Sequence, residues 1–545
     1  MIPNSFCTLS NYNSHHELFG LLLSLSIFHP HAKIYIGCDQ KTKDSINSYS
    51  PKLRLNIQWE IILEKFGNKN RHEMEKENLF HEFLMKKMDI LLTAIENEED
   101  SIFLDADMIL LDQINDIDKT KDLGVSPHYF PIDSPIGKRY GFYNAGMIWS
   151  NNKNAIIDWK ILSQDSYFYE QSSIEDLIID YEHFEFPDNY NFGEFRLSHN
   201  KQSYGNSLNI INEEIYVHDK KLKSIHTHID RHYKLNFIIY FLLLKCKNYK
   251  ILSIINRIKD KKWIINIPYV LKDPVKNGKS FKITTIDSAI SGREFLCCLM
   301  NTNTDIQIHK TNLDNVYFQN HILFYDNDTL GWEHNLNYDK ISLLLLANGN
   351  KNVEEEYFKK KNKYTQFTFF WPKNSQILES FLLENKSLTY EERKTESIFI
   401  GNMQCKEQKK YRYNNENWEN IITKFHLTGN HKHLFSPEIY LKLLSESKFG
   451  LCLRGYGSKC HREIELMALG TVPILTPEVS IDYNDPLIEN YHYIKINKAE
   501  DLKNKLQTIN KEKWMEMSEN CKKWYFKNCH SKNCWNTLLN QILFN

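Results

Sequence analysis

The 545-residue chain lacks an excess of charge of either sign: 68 lysines and arginines face 69 aspartates and glutamates, for a formal net charge of -1. A protein built to coat nucleic acid would carry a basic surplus, so nucleic acid is not expected among its partners. Long apolar runs are also missing. The most apolar stretch, "LNFIIYFLLLKC" at Leu235–Cys246, falls short of the about 20 residues that span a bilayer. The opening "MIPNSFCTLS" has neither a basic n-region nor a long apolar h-region, so no secretory leader is read there. The 11 cysteines are odd in number and follow no regular framework. Reduced thiols and a cytoplasmic location are therefore expected. Cys521, Cys529, His530 and Cys534 lie close in sequence, but their spacing matches no common zinc pattern, and thiols without metal are expected. No internal repeat or low-complexity segment occurs, only a general richness in Asn, Ile and Lys.

What is present is core material. Apolar residues make up 41% and aromatics 13% of the chain, and its length calls for two to four domains. Residues 1 to about 110 alternate between strand and helix patterns. "SFCTLS" and "AKIYIGCD" read as buried strands, "HHELFGLLLSLSIF" and "LFHEFLMKKMDILLTAIE" as helices, and "SIFLDADMILL" as a further strand. That rhythm predicts a parallel sheet with helices on both faces, whose ligands sit beyond the carboxyl ends of its strands. A second alternating region begins near Ile265, with "HILFYD", "ISLLLLANG", "TQFTFFWP", "ESIFIGN", "KFGLCLRG" and "GTVPIL" as strands. Between them, Leu235 to about 262 reads as helix with a sticky face and a basic face. It fits a helix packed between domains, or an anchor for peripheral membrane contact. The expected division is 1–240, a helical linker at 241–264, and 265–545.

Asp105 and Asp107 in "FLDADM" end an apolar run. Carboxylates two residues apart on a strand point to one side, which suits a hard divalent cation. Alone, the pair reads more readily as an acidic strand end than as a metal site. Its context is "FYNAGMIWSN", which carries Asn144 and Gly146, and "SIHTHID", which sets His226 and His228 at a strand end where an imidazole could complete a metal shell.

The ordered series "TLSN", "GCD", "FLDADM", "YNAGM", "EDL", "PDNYNF", "SIHTHI" resembles GT-A glycosyltransferases, particularly those similar to family 8 and glycogenin, over roughly residues 1–235. The resemblance implies a Rossmann-like nucleotide-sugar domain in which Asp105 and Asp107 hold Mn2+ or Mg2+ at the diphosphate of the donor. His226 is the implied third ligand, with His228 as the alternative. Thr8, Leu9 and Asp39 would line the nucleoside pocket, and Lys87 would reach the phosphates. Asn144 and Gly146 would lie under the transferred sugar, with Asp176 near the reacting carbon. Retention of anomeric configuration is the implied outcome, with inversion left open. Phosphohydrolases of the haloacid dehalogenase type also place D-x-D after a strand, but they follow it with Thr or Val where Ile109 stands here.

"SESKFGLCLRGYGSKCHREIELMALGTVPILTPE", Ser445 to Glu478, reads as strand, glycine turn, helix and strand. Gly455 and Gly457 would let backbone amides approach a ligand at a helix N-terminus, with Arg454, Lys459 and Arg462 supplying charge. Such a site binds a diphosphate without metal. The stretch resembles the donor half of GT-B glycosyltransferases, most of all exostosin-type enzymes, over about 395–500. By that match Arg454, Arg462 and Glu465 bind the donor, Glu465 at the ribose, and Lys410 and Arg412 are further phosphate candidates. The expected fold is thus α/β, a GT-A domain followed by a GT-B-like domain whose donor half spans about 395–545. The expected function is bifunctional glycosyl transfer from UDP- or GDP-sugars to a glycan, glycolipid or glycoprotein. The alternatives are one active GT-A domain with a degenerate partner, and a non-catalytic glycan-binding scaffold.

Overall fold

The computed structural model describes residues 1–131, 133–199, 201–268, 304–311, 321–325, 343–346, 365–368, 372, 375–403, 412, 417–428, 435–455 and 458–544. The chain is α/β and divides into two compact units, Met1–Trp263 and Ile264–Leu543.

The strands of unit 1 are β1 (Ser5–Ser10), β2 (Lys33–Cys38), β3 (Asn56–Ile61), β4 (Ser101–Leu104), β5 (Met108–Leu110), β6 (Leu123–Pro127), β7 (Tyr143–Ser150), β8 (His183–Glu185), β9 (Phe192–Gly193), β10 (Leu208–Ile211), β11 (Glu214–Val217), β12 (Lys220–Lys221) and β13 (Ser224–His226). Its helices include α1 (His15–Phe28), α2 (Gln40–Ser48), α3 (Phe80–Glu98), α4 (Tyr169–Ser172), α5 (Ile174–Asp180), α6 (Tyr233–Lys245) and α7 (Tyr249–Asp260). The main sheet runs β3-β2-β1-β4-β7-β6-β8. β1 is buried along its whole length, as a strand covered on both faces must be. The chain leaves β1 on one side for β2 and β3, then returns on the other as β4. The sheet therefore has a switch point between the ends of β1 and β4, the place where such sheets bind ligands.

The parallel arrangement expected for residues 1 to about 110 holds from β1 to β4. Beyond it, β6 and β8 pair in parallel, and β7 runs antiparallel to both β4 and β6. β7 consequently begins where β4 ends, and the Asp105 amide donates to the Gly146 carbonyl at 2.8 Å. One expectation changes here: "SIFLDADMILL" is not one strand. The Met108 amide donates to the Asp105 carbonyl (3.1 Å), closing a turn after β4, and β5 joins a separate sheet, β5-β13-β9.

The segment expected as a linker folds as the end of α6 and the whole of α7. The apolar residues Ile251, Leu252, Ile254, Ile255 and Ile258 of α7 are buried. α7 lies so close to α1 that a Cβ on Gly20 would meet Ile258 Cδ1 at 2.1 Å.

Unit 2 has two five-stranded sheets. The first is built from β14 (Trp263–Pro268), β15 (Ile306–Thr311), β16 (His321–Tyr325), β17 (Leu343–Leu346) and β18 (Thr365–Thr368), in the order β15-β14-β16-β17-β18. The second uses β19 (Thr395–Gly401), β20 (Lys424–Leu427), β21 (Ser447–Cys452), β22 (Val472–Leu475) and β23 (Ile494–Lys495), all parallel, in the order β20-β19-β21-β22-β23. The helices α8 (Pro437–Ser445), α9 (His461–Ala468) and α10 (Lys511–Asn528) accompany the second sheet. Buried Arg393 ties its core together, donating to the carbonyls of Ser447 and Leu469 and to Thr471 Oγ1, each at 2.7 Å. The switch point of this sheet lies between β19 and β21. Among the described residues no helix is long and apolar enough to cross a membrane, and the eight described cysteines are unbridged thiols.

Candidate active site

The turn after β4 carries Asp105 and Asp107 to the switch point of unit 1. β13 pairs with β5 so that His226 stands opposite Met108, which sets its imidazole over that turn. One ligand atom from each of Asp105, Asp107 and His226 lies within 4.8 Å of the others. His226 Nε2 is 3.2 Å from Asp107 Oδ1 and 3.9 Å from Asp105 Oδ2. His228 Nδ1 stands 3.2 Å from Asp107 Oδ2 and 3.3 Å from Glu17 Oε1 of α1. Of the two histidines, His226 is the one that joins both aspartates.

The residues fit a divalent cation. Among the described residues Asp107 Oδ2 is buried without a hydrogen bond, although His228 Nδ1 lies 3.2 Å away. Gly146 leaves a hollow beside the cluster, where a Cβ would lie 2.7 Å from each of Asn144 Oδ1, Asp105 Oδ2 and His226 Cε1. Two carboxylates and one imidazole are donors that Mn2+ or Mg2+ accepts.

Burial opposes ionisation of Asp107, yet the imidazoles of His226 and His228 outweigh it and hold the carboxyl well below the usual range. Asp107 in turn pushes His228 up to about 9 against the opposing effect of burial. Burial lowers His226 as well, and Asp107 reverses that to a net rise. The cluster draws positive charge, whether as protons or as a metal ion.

A buried set of amides aims the histidine. His226 Nδ1 lies 2.9 Å from Asn191 Oδ1, which turns Nε2 towards the aspartates. Asn191 Nδ2 donates to Ser126 Oγ (2.9 Å) and to Asn144 Oδ1 (3.0 Å). Asn144 Oδ1 also accepts the Gly146 amide at 2.9 Å. On the other side, buried Lys87 of α3 places its Nζ 2.9 Å from both Asp105 Oδ1 and Glu170 Oε1. Burial disfavours that ammonium, but the two carboxylates outweigh it and keep it charged.

The remaining expected residues of unit 1 take varied places. Thr8 and Leu9 are buried in β1, and among the described residues Thr8 Oγ1 has no hydrogen bond. Asp39 caps α2 through the Thr42 amide (2.8 Å) and accepts the Tyr12 amide (2.7 Å), so it ties the loop after β1 to the end of β2. Asp176 is exposed on α5, and no hydrogen bond or ion pair with the described residues joins it to the cluster. Glu170 of α4 is the carboxylate that reaches Lys87. Glu170, Asn191 and Glu17 were missed in the sequence. Asn191 lies inside "PDNYNF", and that placement was its only signal.

At the switch point of unit 2 the charge is of the opposite sign. Arg462 Nη2 donates to the Ile400 carbonyl (2.6 Å), and its guanidinium lies 4.7 Å from the Phe399 ring centroid. Gly401 makes room for it, since a Cβ there would meet Nη2 at 2.5 Å. Among the described residues, Arg462 Nε and Nη1 are buried without a hydrogen bond. Arg412 donates to the Arg454 carbonyl (2.7 Å) and to that of Asn402, bridging the ends of β19 and β21. Glu465 is buried and accepts the Tyr440 hydroxyl at 2.8 Å. Gly455 is buried just beyond β21, and Lys459, four positions later, is buried as well. Gly457 and Lys410 lie outside the described residues. Cys521, Cys529, His530 and Cys534 are not among the metal-ligand groups of the described residues.

No family model matches the sequence. Similar solved structures include the glycosyltransferase GlyE of Streptococcus pneumoniae TIGR4, at 12% identity over 94% of this chain and 100% of that one, with a TM-score of 0.29. The apo bifunctional glycosyltransferase WbbM matches at 10% identity over 35% of this chain and 40% of its own, TM-score 0.26. Mouse xyloside xylosyltransferase 1 matches at 9% identity over 42% and 98%, TM-score 0.28. All three are glycosyltransferases, but at these scores the likeness carries no argument, and the functional reading rests on this chain's own side chains.

Proposed function

We propose that unit 1 is a GT-A-type glycosyltransferase. It moves a glycosyl group from a UDP- or GDP-sugar to a glycan, glycolipid or glycoprotein acceptor, with Mn2+ or Mg2+ held by Asp105, Asp107 and His226. The observation that carries this reading is the gathering of those three side chains, with an orphaned carboxylate oxygen and a glycine hollow, at a sheet switch point. A bound cation supplies Lewis-acid stabilisation of the charge on the leaving nucleoside diphosphate. Buried Lys87 orients Asp105 and keeps a positive charge beside it. Asn144 and Gly146 shape the floor under the sugar. Asp105, Asp107, Glu170 and Glu17 are each engaged in an ion pair. None is left as the general base that inversion needs, which favours retention.

The test is release of nucleoside diphosphate from a panel of nucleotide sugars by the full chain. Activity should require Mn2+ or Mg2+, and Asp107→Ala should lower it about 10²-fold or more. Activity indifferent to chelator and to that substitution removes the reading. Proton NMR of the product anomer decides between retention and inversion.

A specific observation favours a second site. Arg462 and Arg412 meet at the ends of β19 and β21 beside Glu465, which suits a diphosphate and a ribose without metal. On this reading unit 2 is a GT-B-like transferase, and tethering lets one chain add successive sugars. Glu465→Ala should abolish the transfer that survives chelation. If no such transfer exists and calorimetry in chelator detects no nucleotide binding, the chain has one active unit. If neither unit turns over a nucleotide sugar, the scaffold alternative takes its place.

A further inference from the structure

Helix α6 has two apolar stripes where a surface helix ordinarily has one. Leu235, Ile239 and Leu243 are buried. Tyr233, Phe237 and Phe241 are 74%, 74% and 47% exposed. Each stripe steps by four residues, and the two are offset by two residues, about 200° around the helix, so they lie on opposite faces. The outward face of a surface helix is normally polar; here it presents three aromatic rings.

Basic residues flank them in the chain. Between residues 231 and 262 the sequence holds nine lysines and arginines against one acid, Asp260. Arg231, Lys234, Lys245, Lys259 and Lys261 are exposed. Lys245 Nζ lies 4.4 Å from the Phe241 ring centroid, at the edge of the stripe. Lys247 is also exposed and is paired with Glu213 (2.7 Å).

We propose that this face of α6 docks the protein on an anionic bilayer, with the helix lying in the plane of the interface. The rings of Tyr233, Phe237 and Phe241 enter the boundary between headgroups and acyl chains, while the lysines and arginines reach the lipid phosphates. The helix is strapped to the histidine strand. Asn236 Nδ2 donates to the carbonyls of His228 (3.2 Å) and Ile229 (3.0 Å), and Thr227 Oγ1 donates to Asn236 Oδ1 (2.6 Å). Docking through α6 therefore holds the Asp105 cluster near the lipid surface. On the transferase reading above, the acceptor is a lipid-linked glycan.

The experiment is co-sedimentation of the full chain with vesicles of equal parts phosphatidylcholine and phosphatidylglycerol, and with vesicles of phosphatidylcholine alone. Wild type should pellet with the anionic vesicles and stay in solution with the neutral ones. The double variant Phe237→Ser/Phe241→Ser should partition about tenfold less, with an unchanged circular dichroism spectrum. Phe237→Glu alone should act in the same direction. Asp107→Ala should pellet like wild type, so that loss of the transfer reading leaves this result standing. Wild type remaining in solution with anionic vesicles overturns the proposal, as does a serine variant that pellets like wild type. A wild-type dimer that the serine variant turns monomeric, without vesicle binding, assigns the face to a second copy of the chain.

Discussion

Unit 1 and unit 2 place their candidate sites at the same kind of position, beyond the carboxyl ends of parallel strands where the strand order reverses, and they fill it with opposite charge. Unit 1 gathers Asp105, Asp107 and Glu170 with two imidazoles, whereas unit 2 brings Arg412 and Arg462 to the strand ends. An acidic cluster repels a diphosphate unless a cation lies between them, but guanidinium groups bind one directly. If both proposed sites hold a diphosphate, they do so in two ways, and the side chains at the strand ends decide which.

The comparison can be strained from both sides. The largest expected effect is on unit 1. Asn191→Ala removes the acceptor that orients His226, and metal affinity should fall about 10–100-fold while nucleotide binding in chelator stays unchanged. Titration of Mn2+ by calorimetry reads this, and an unchanged affinity would mean that His226 needs no such support. A smaller effect is expected in unit 2, where Tyr440→Phe removes the hydroxyl that holds Glu465. Nucleotide binding there should weaken by about 0.5–1.5 kcal/mol, independently of metal.

A further effect concerns pH. Burial pushes Glu463, at the start of α9, from 4.5 up to about 7. An acid raised in the folded state favours that state when protonated. Its contribution is complete below the unfolded value of 4.5 and is lost as pH rises through about 7. Glu463→Gln should flatten that part of the thermal stability profile, and a slope identical to wild type would contradict it. Asp107, held low by its histidines, adds no such slope in that window.

Much of this was legible in the sequence, for reasons that are local. β1, β2, α1 and the long helix α3 announce themselves through apolar periodicity, and the strands of unit 2 do so as short apolar runs. His226 stood out because it closes an apolar strand. What escaped is non-local. Nothing in "SIFLDADMILL" reports the hydrogen bond that breaks the strand at Asp105, so the pair was placed on a strand when it sits on a turn. Nothing in "YNAGMIWS" reports that β7 runs antiparallel. Glu170 is separated from Lys87 by 83 positions and Asn191 from His226 by 35, so no spacing rule reaches them. Asp176 rests on the resemblance alone, which places an acidic residue near the reacting carbon, and in the fold it is exposed.

The central claim is that Asp105, Asp107 and His226 form a cation site that makes unit 1 a metal-dependent donor site. Its most direct test is a Mn2+ titration of the full chain followed by electron paramagnetic resonance, with wild type beside Asp107→Ala. One bound ion per chain in wild type, lost in the variant, with nucleotide-sugar turnover lost in parallel, is the predicted result. Equal Mn2+ binding by both proteins, or turnover that continues without the ion, would contradict it.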